Sequence, residues 1–243
     1  MNTNTRLLTL LGAIGILACT ASAALVDLGP GSFTPLAPVI TFDEQPLGTV
    51  NPVYNFSGLP TLGDVTVSFG TNFQGQTVTG SGVRTLTGSP TGPLTLVTEP
   101  NGTYITNDGA SPSNPILSGD PIFNGPISIF FSKPVAGVGL SGGYFNGLHG
   151  TTIEAYDAAG NVLGSITNSV LGFEFYGLAD SSGASVISGV SFYITGDEPA
   201  GFEIDNVTFG AAADIVGVPD AGSTIVMLGM ALAGLLGFAR RKL

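Results

Sequence analysis

The chain has 243 residues, of which 9% are charged and 9% aromatic, with 37 glycines, no Trp and a net charge of −11. High hydrophobicity with so few charges excludes the composition of a disordered chain. Between Asp27 and Asp214 lie sixteen acidic residues and two basic ones, Arg84 and Lys133, and this net −14 excludes binding to phosphate backbones and so to nucleic acid.

At the start, Met1 to Arg6 is polar with one basic residue, and an apolar run of 12 residues follows from Leu7 to Ala18. As a helix that run is about 18 Å long, short of the roughly 30 Å of bilayer hydrocarbon. With small residues at Ala21 and Ala23, residues 1–23 are expected to be a secretory signal peptide cut after Ala23 by the secretion machinery. Ile16-Leu-Ala-Cys19 offers an alternative processing site at which Cys19 would be lipidated. Cys19 is the only cysteine, so the exported body has no disulfide, thiol nucleophile or thiolate metal site.

The body, residues 24–210, alternates β-branched and aromatic clusters with Gly, Pro, Asn and Asp. Strands are expected at Val39–Phe42, Val65–Phe69, Leu94–Thr98, Ile127–Phe131, Val135–Leu140, Thr152–Tyr156, Val162–Thr167, Phe173–Gly177, Val186–Ile194 and Phe202–Phe209. About ten strands with no crossover helix make an all-β fold, an antiparallel β-sandwich. In Tyr156-Asp-Ala-Ala-Gly-Asn161, Asp157 is expected to accept backbone hydrogen bonds in a turn. In the last strand, Phe202 and Ile204 are two apart, as are Val207 and Phe209, but Ile204 and Val207 are three apart. The phase slip predicts a β-bulge at Asp205-Asn206 that keeps both apolar pairs in the core and redirects Asp205.

After a linker at 211–217, the segment 218–243 has three parts. Val218-Pro219-Asp220-Ala221-Gly222-Ser223-Thr224 is a short motif, an uncharged stretch of 19 residues at about 221–239 is expected to form a transmembrane helix, and Arg240, Arg241 and Lys242 form a basic end. The basic end is expected to stay cytoplasmic, leaving the body outside the inner membrane. This tail resembles the exosortase-recognised sorting signals of the PEP-CTERM class, in particular the variant with the core Val-Pro-Asp-Ser-Gly, with Ala221 standing where that variant has Ser. The resemblance implies transient anchoring in the inner membrane, processing by an exosortase-like membrane protease, and delivery to the envelope, surface or extracellular matrix of a bacterium with an outer membrane. Permanent anchoring by the helix is the alternative.

Ile40-Thr-Phe-Asp-Glu44 with Gly48-Thr49 near the start, and Gly201-Phe-Glu-Ile-Asp-Asn-Val-Thr-Phe209 at the end, resemble galactose-binding-like jelly-roll domains. That resemblance implies first and last strands lying side by side and a structural calcium held by Glu44 and Asp205, less directly by Asp43, with backbone carbonyls near Gly48 and Thr49 completing the shell. Calcium takes six to eight hard oxygens, so carboxylates from distant strands suit it.

The single histidine, His149, lies in Gly142-Gly-Tyr-Phe-Asn-Gly-Leu-His-Gly150. Aromatics and amides in such a loop can line a sugar site, which nominates Tyr144, Phe145, Asn146 and His149 as ligand residues; an exposed hairpin tip is the plainer alternative. No nucleophile elbow, phosphate loop or multi-His zinc pattern is present in the sequence. The body is therefore expected to be non-catalytic, a polysaccharide-binding module, with a structural matrix or adhesion protein as the alternative. A secreted glycan hydrolase would need two carboxyls facing across a cleft, drawn from Glu174, Asp197, Glu198, Glu203 and Asp205.

Overall fold

The computed structural model describes residues 24–99 and 102–218. The sequence-derived features at Cys19, Ala21 and Ala23, the motif from Pro219 to Thr224, the expected helix at about 221–239 and the basic end at 240–242 lie outside the described residues. Among the described residues no helix is long and apolar enough to cross a membrane.

Strands dominate: β1 (Leu25–Leu28), β2 (Val39–Ile40), β3 (Val53–Leu59), β4 (Gly63–Gly70), β5 (Asn72–Phe73), β6 (Thr77–Thr79), β7 (Thr85–Thr87), β8 (Leu96–Val97) and β9 (Thr103–Thr106) come first. They are followed by β10 (Ile116–Gly119), β11 (Ile127–Val135), β12 (Gly137–Phe145), β13 (Thr151–Tyr156), β14 (Val162–Thr167), β15 (Gly172–Asp180), β16 (Ile187–Ile194) and β17 (Glu203–Gly210). One sheet has the order β1-β15-β12-β17-β10-β9, with β2 also pairing with β17; the other has the order β14-β13-β16-β11-β4-β3. Two small ribbons, β5 with β8 and β6 with β7, complete an antiparallel sandwich.

The alternation that marks these strands also builds the core. Val65, Val67 and Phe69 of β4 and Val190, Phe192 and Ile194 of β16 turn one face inward, where they meet Val138 and Leu140 of β12 and Ile204, Val207 and Phe209 of β17. Rings stack edge-on or tilted through this layer, Phe131 against Phe209 at 5.3 Å and Phe192 against Phe202 at 4.4 Å. Burying each such side chain is worth about 1.5–3 kcal/mol, so the inter-sheet layer is the main source of stability.

The last strand carries the expected bulge. Thr208 pairs with Gly139 and Asp205 with Ser141, so three steps along β17 answer two along β12. Asn206 takes a positive φ of 50° at this point, a conformation that Asn tolerates better than most residues. Both apolar pairs, Phe202 with Ile204 and Val207 with Phe209, consequently lie in the core. The turn at Asp157 is also as read: its carboxylate accepts the N–H groups of Ala159 and Asn161 at 2.9 and 2.8 Å.

Three expectations need correction. The strand expected at Val39–Phe42 stops at Ile40, because Phe42 adopts a φ of 62° that carries its ring into the core against Phe69 and turns the chain out of the sheet. The segment Gly142–Gly150 is strand in its first part, since β12 runs through Gly142 and Gly143 to Phe145, and only the residues after it form the loop that exposes His149. The segment 211–217 is not a free linker. It forms a 3-10 turn at Ala212–Asp214, and Ala212 and Ile215 pack with Leu28, Ala136 and Ala179 in a second, smaller core. Val218, the first residue of the sorting motif, is partly buried against that same cluster, so the body continues to the threshold of the tail.

Candidate functional site

β12 crosses the middle of the larger sheet with glycine or serine at positions 137, 139, 141 and 143 of its outer face. A Cβ on Gly143 would meet the Phe173 ring at 2.3 Å, and one on Gly139 would meet the Phe175 ring at 2.8 Å. The absence of side chains there lets the two rings of β15 lie across the neighbouring strand. Phe33 closes on Phe175 edge-to-face at 6.3 Å, and Tyr144 on Phe173 at 5.6 Å. Tyr144 is 46% exposed, so the Tyr144–Phe173 pair presents aromatic surface to solvent.

On the other side of β12 stand Glu203 and Asp205. Phe202 and Ile204 face the core, so the pleat sends these two carboxyls to the outer face. They line a cavity of about 150 Å³ together with Ser113, Ser141, Asn206 and Phe173. A second cavity of about 200 Å³ follows along the same strand, bounded by Asp108, Gly143, Tyr144 and Phe202. A shallow third, about 450 Å³, lies beyond Phe173 and Phe175 and reaches Leu28 and Ile166. The Tyr144–Phe173 pair therefore stands between the first two cavities, which together form a groove on the outer face of the sheet.

The carboxyls in the groove are unusual. Glu203 is 3% exposed and its Oε2 has no hydrogen-bond partner. Burial pushes its pKa up to about 8; Ser111 opposes the rise, while Asp108 and Asp205 add to it. At neutral pH Glu203 is therefore mostly un-ionised. Asp205, 5% exposed, is also raised by burial, against the opposing hydrogen bonds from Ser113 and Asn206. Its Oδ1 accepts the Asn206 N–H at 2.6 Å, and its Oδ2 accepts Asn206 Nδ2 at 3.0 Å and the Ser113 hydroxyl. The bulge thus aims Asp205 at the β9–β10 loop.

The calcium expectation can be tested on this arrangement. The pairing of β2 with β17 does bring the first part of the chain beside the last strand. Asp43 and Glu44 are close enough for their charges to raise the pKa of Asp205. Yet the turn at Phe42 leaves both of them exposed, and Glu44 bends back to accept the Thr41 hydroxyl at 3.1 Å. The Thr49 carbonyl accepts the Ile105 N–H at 3.0 Å. No group of three or more His, Cys, Asp and Glu side chains able to hold a metal occurs among the described residues. Asp205 thus has the carboxylates of Asp43 and Glu44 in its neighbourhood, with Glu44 engaged by Thr41 and Asp205 by Ser113 and Asn206.

The glycine-rich segment splits in the same way. Tyr144 stands on the groove. Phe145 is 1% exposed and packs on Tyr176 and Phe192, so its ring belongs to the core. Asn146 is exposed, and His149 is exposed with its Nδ1 at 2.8 Å from the Thr167 hydroxyl; neither lines the two cavities beside Glu203. The loop itself is held by Glu198, 2% exposed, whose oxygens accept the N–H groups of Asn146 and Gly147 at 2.8 and 3.0 Å. Replacing Glu198 with Ala should lower stability by about 1–2 kcal/mol in urea unfolding, because two part-buried backbone N–H groups of the loop lose their carboxyl acceptor. Among the hydrolase candidates, Glu174 is engaged by the Ser169 hydroxyl at 2.6 Å.

Phe173, Phe175, Asp108 and Ser113 were not singled out from the sequence. The first two had a usable signal: Phe173 and Phe175 flank Glu174 in an alternating strand, so they share a face. Asp108 and Ser113 had none, since Ser113 meets Asp205 across 92 positions of chain.

A profile of the VPDSG-CTERM motif matches residues 217–243. No curated protein and no solved structure matches the chain. The matched tail marks an exported protein sorted through an exosortase-type signal, processed by an exosortase-type membrane protease and destined for the cell envelope or surface.

Proposed function

We propose that the body is a non-catalytic polysaccharide-binding module that the tail delivers to the cell surface or extracellular matrix. The observation that carries this reading is the solvent-facing Tyr144–Phe173 pair standing over a groove lined by hydrogen-bonding side chains. Sugar rings stack on such faces while carboxyls, hydroxyls and amides take their hydroxyl groups. The adjacency of β2 and β17 supports a galactose-binding-like, jelly-roll body, apart from any metal.

The carboxyl geometry supports binding over hydrolysis. Glu203 and Asp205 project side by side from one strand, and Asp108 lies within hydrogen-bond reach of Glu203. Glycoside hydrolysis needs carboxyls on opposite sides of the scissile bond. A glycan array probed with the full chain tests the reading. Binding is expected, and Tyr144→Ala should weaken it about five- to tenfold without lowering the melting temperature. An array with no bound glycan would leave the matrix or adhesion role in its place.

A further inference from the structure

We propose that the groove between Phe173 and Glu203 recognises glycans that carry free amino groups, that is, polymers of de-N-acetylated amino sugars. The inference rests on the polysaccharide-binding reading and names the ligand class within it. Two independent features point the same way.

The first is a buried carboxyl oxygen without a partner. Glu203 is almost wholly buried, lines the cavity, and leaves Oε2 without any hydrogen-bond partner. A buried acceptor of this kind carries a desolvation cost until a donor arrives, and an ammonium is the donor that gains most from a carboxyl. The arriving cation favours the ionised form of Glu203, whose proton passes to solvent.

The second is the charge and chemistry of the walls. Asp108, Glu203 and Asp205 line the two adjoining cavities, and no Lys, Arg or His does. The neighbouring Asp43 and Glu44 extend the same sign. Arg84, a cation of the body, is turned to Asp120 at 3.5 Å. Such a field disfavours uronic acids and other acidic glycans and draws cations in. The aromatic pair between the cavities, Tyr144 and Phe173 at 5.6 Å, adds a surface on which both a sugar ring and an adjacent cation are stabilised. A bare metal ion would make no use of those rings, and the described residues offer no metal cluster. An amino sugar uses both halves of the site.

Calorimetric titration of the full chain at physiological salt and mildly acidic pH tests this with four probes: a glucosamine hexamer, its N-acetylated counterpart, a glucose hexamer and spermine. The glucosamine hexamer is expected to bind more than about tenfold tighter than the other three. Glu203→Gln should weaken it about fivefold or more while leaving the melting temperature unchanged or raised. Asp205→Asn is the second charge variant, and Phe173→Ala should weaken the hexamer but not spermine. Equal binding of the N-acetylated or glucose hexamer would overturn the amino-sugar assignment and leave the polysaccharide reading standing. Equal binding of spermine would overturn it by showing attraction to acidity alone. Failure of every hexamer, together with a blank array, would overturn both readings.

Discussion

Deleting Thr208 should strongly destabilise the body, whereas deleting its near neighbour Asn206 should cost it little. In β17 the inward residues are Phe202, Ile204, Val207 and Phe209, and the extra residue that separates the two pairs is the bulge at Asn206. Removing Asn206 restores strict alternation: Ile204 inward, Asp205 outward, Val207 inward. The pairings of Ile204 with Gly142 and of Phe209 with Val138 are both kept. The cost is the loss of the Asn206 hydrogen bonds to Asp205, about 1–2 kcal/mol. Removing Thr208 keeps the bulge but turns Phe209, fully buried between Phe56 and Phe131, to the outer face. Emptying a site of that size costs about 3–5 kcal/mol, a large part of the stability of an ordinary domain. For a body of this size the melting temperature should fall by about 10 °C or more. Circular dichroism melts of the two deletions measure it. Equal damage from both would mean that the bulge is not a single inserted residue in an otherwise regular strand. The Asn206 deletion should also lose glycan binding, since Asp205 would no longer be aimed at Ser113.

The same strand shows what the sequence carries and what it does not. A phase slip of one residue is a local signal, and it located the bulge, the core face and the outward carboxyls of Glu203 and Asp205. Val162–Thr167 was likewise readable to the residue, as a short run bounded by turn formers. β9 and β10, whose connecting loop supplies Asp108 and Ser113 to the cavities, were not readable. They are four residues each, set among Pro112, Asn114 and Pro115, too short for periodicity and stabilised by pairing rather than by pattern. Gly142-Gly143 misled for a related reason: consecutive glycines usually mark a turn, but here they make room for the Phe173 ring. Phe42 misled because its positive φ is imposed by packing on Phe69 and Tyr54, and no local preference predicts it. That turn leaves Asp43 and Glu44 exposed beside Asp205 rather than in the strand that pairs with it. The raised pKa of Glu203 comes from burial with Asp108 adding to it, both of them long-range facts.

Raising the pH through about 8 should destabilise the body, and Glu203→Gln should remove much of that loss. The folded pKa of Glu203, about 8, lies above its ordinary value of 4.5. The folded state thus binds a proton that the unfolded chain releases at lower pH. Its contribution is complete below about 4.5 and is lost as pH rises through about 8. Each unit of separation corresponds to about 1.4 kcal/mol. Water reaching the cavity and relaxation of the β9–β10 loop reduce the total, so a loss of about 2–3 kcal/mol between pH 5 and pH 9 is expected. Asp205, also raised, adds a loss of the same sign at lower pH. Gln keeps the shape and neutrality of the protonated acid, so the variant should match the parent near pH 5 and melt several degrees above it near pH 9. Urea unfolding across that range is the measurement, and identical pH slopes for parent and variant would show that Glu203 ionises freely in the fold. The same proton connects stability to recognition. A cation seated beside Glu203 lowers its pKa, so saturating glucosamine hexamer should expel that proton and reduce the fall in stability between about pH 5 and pH 7, where the sugar amines still carry charge, and leave the Gln variant's profile nearly unchanged.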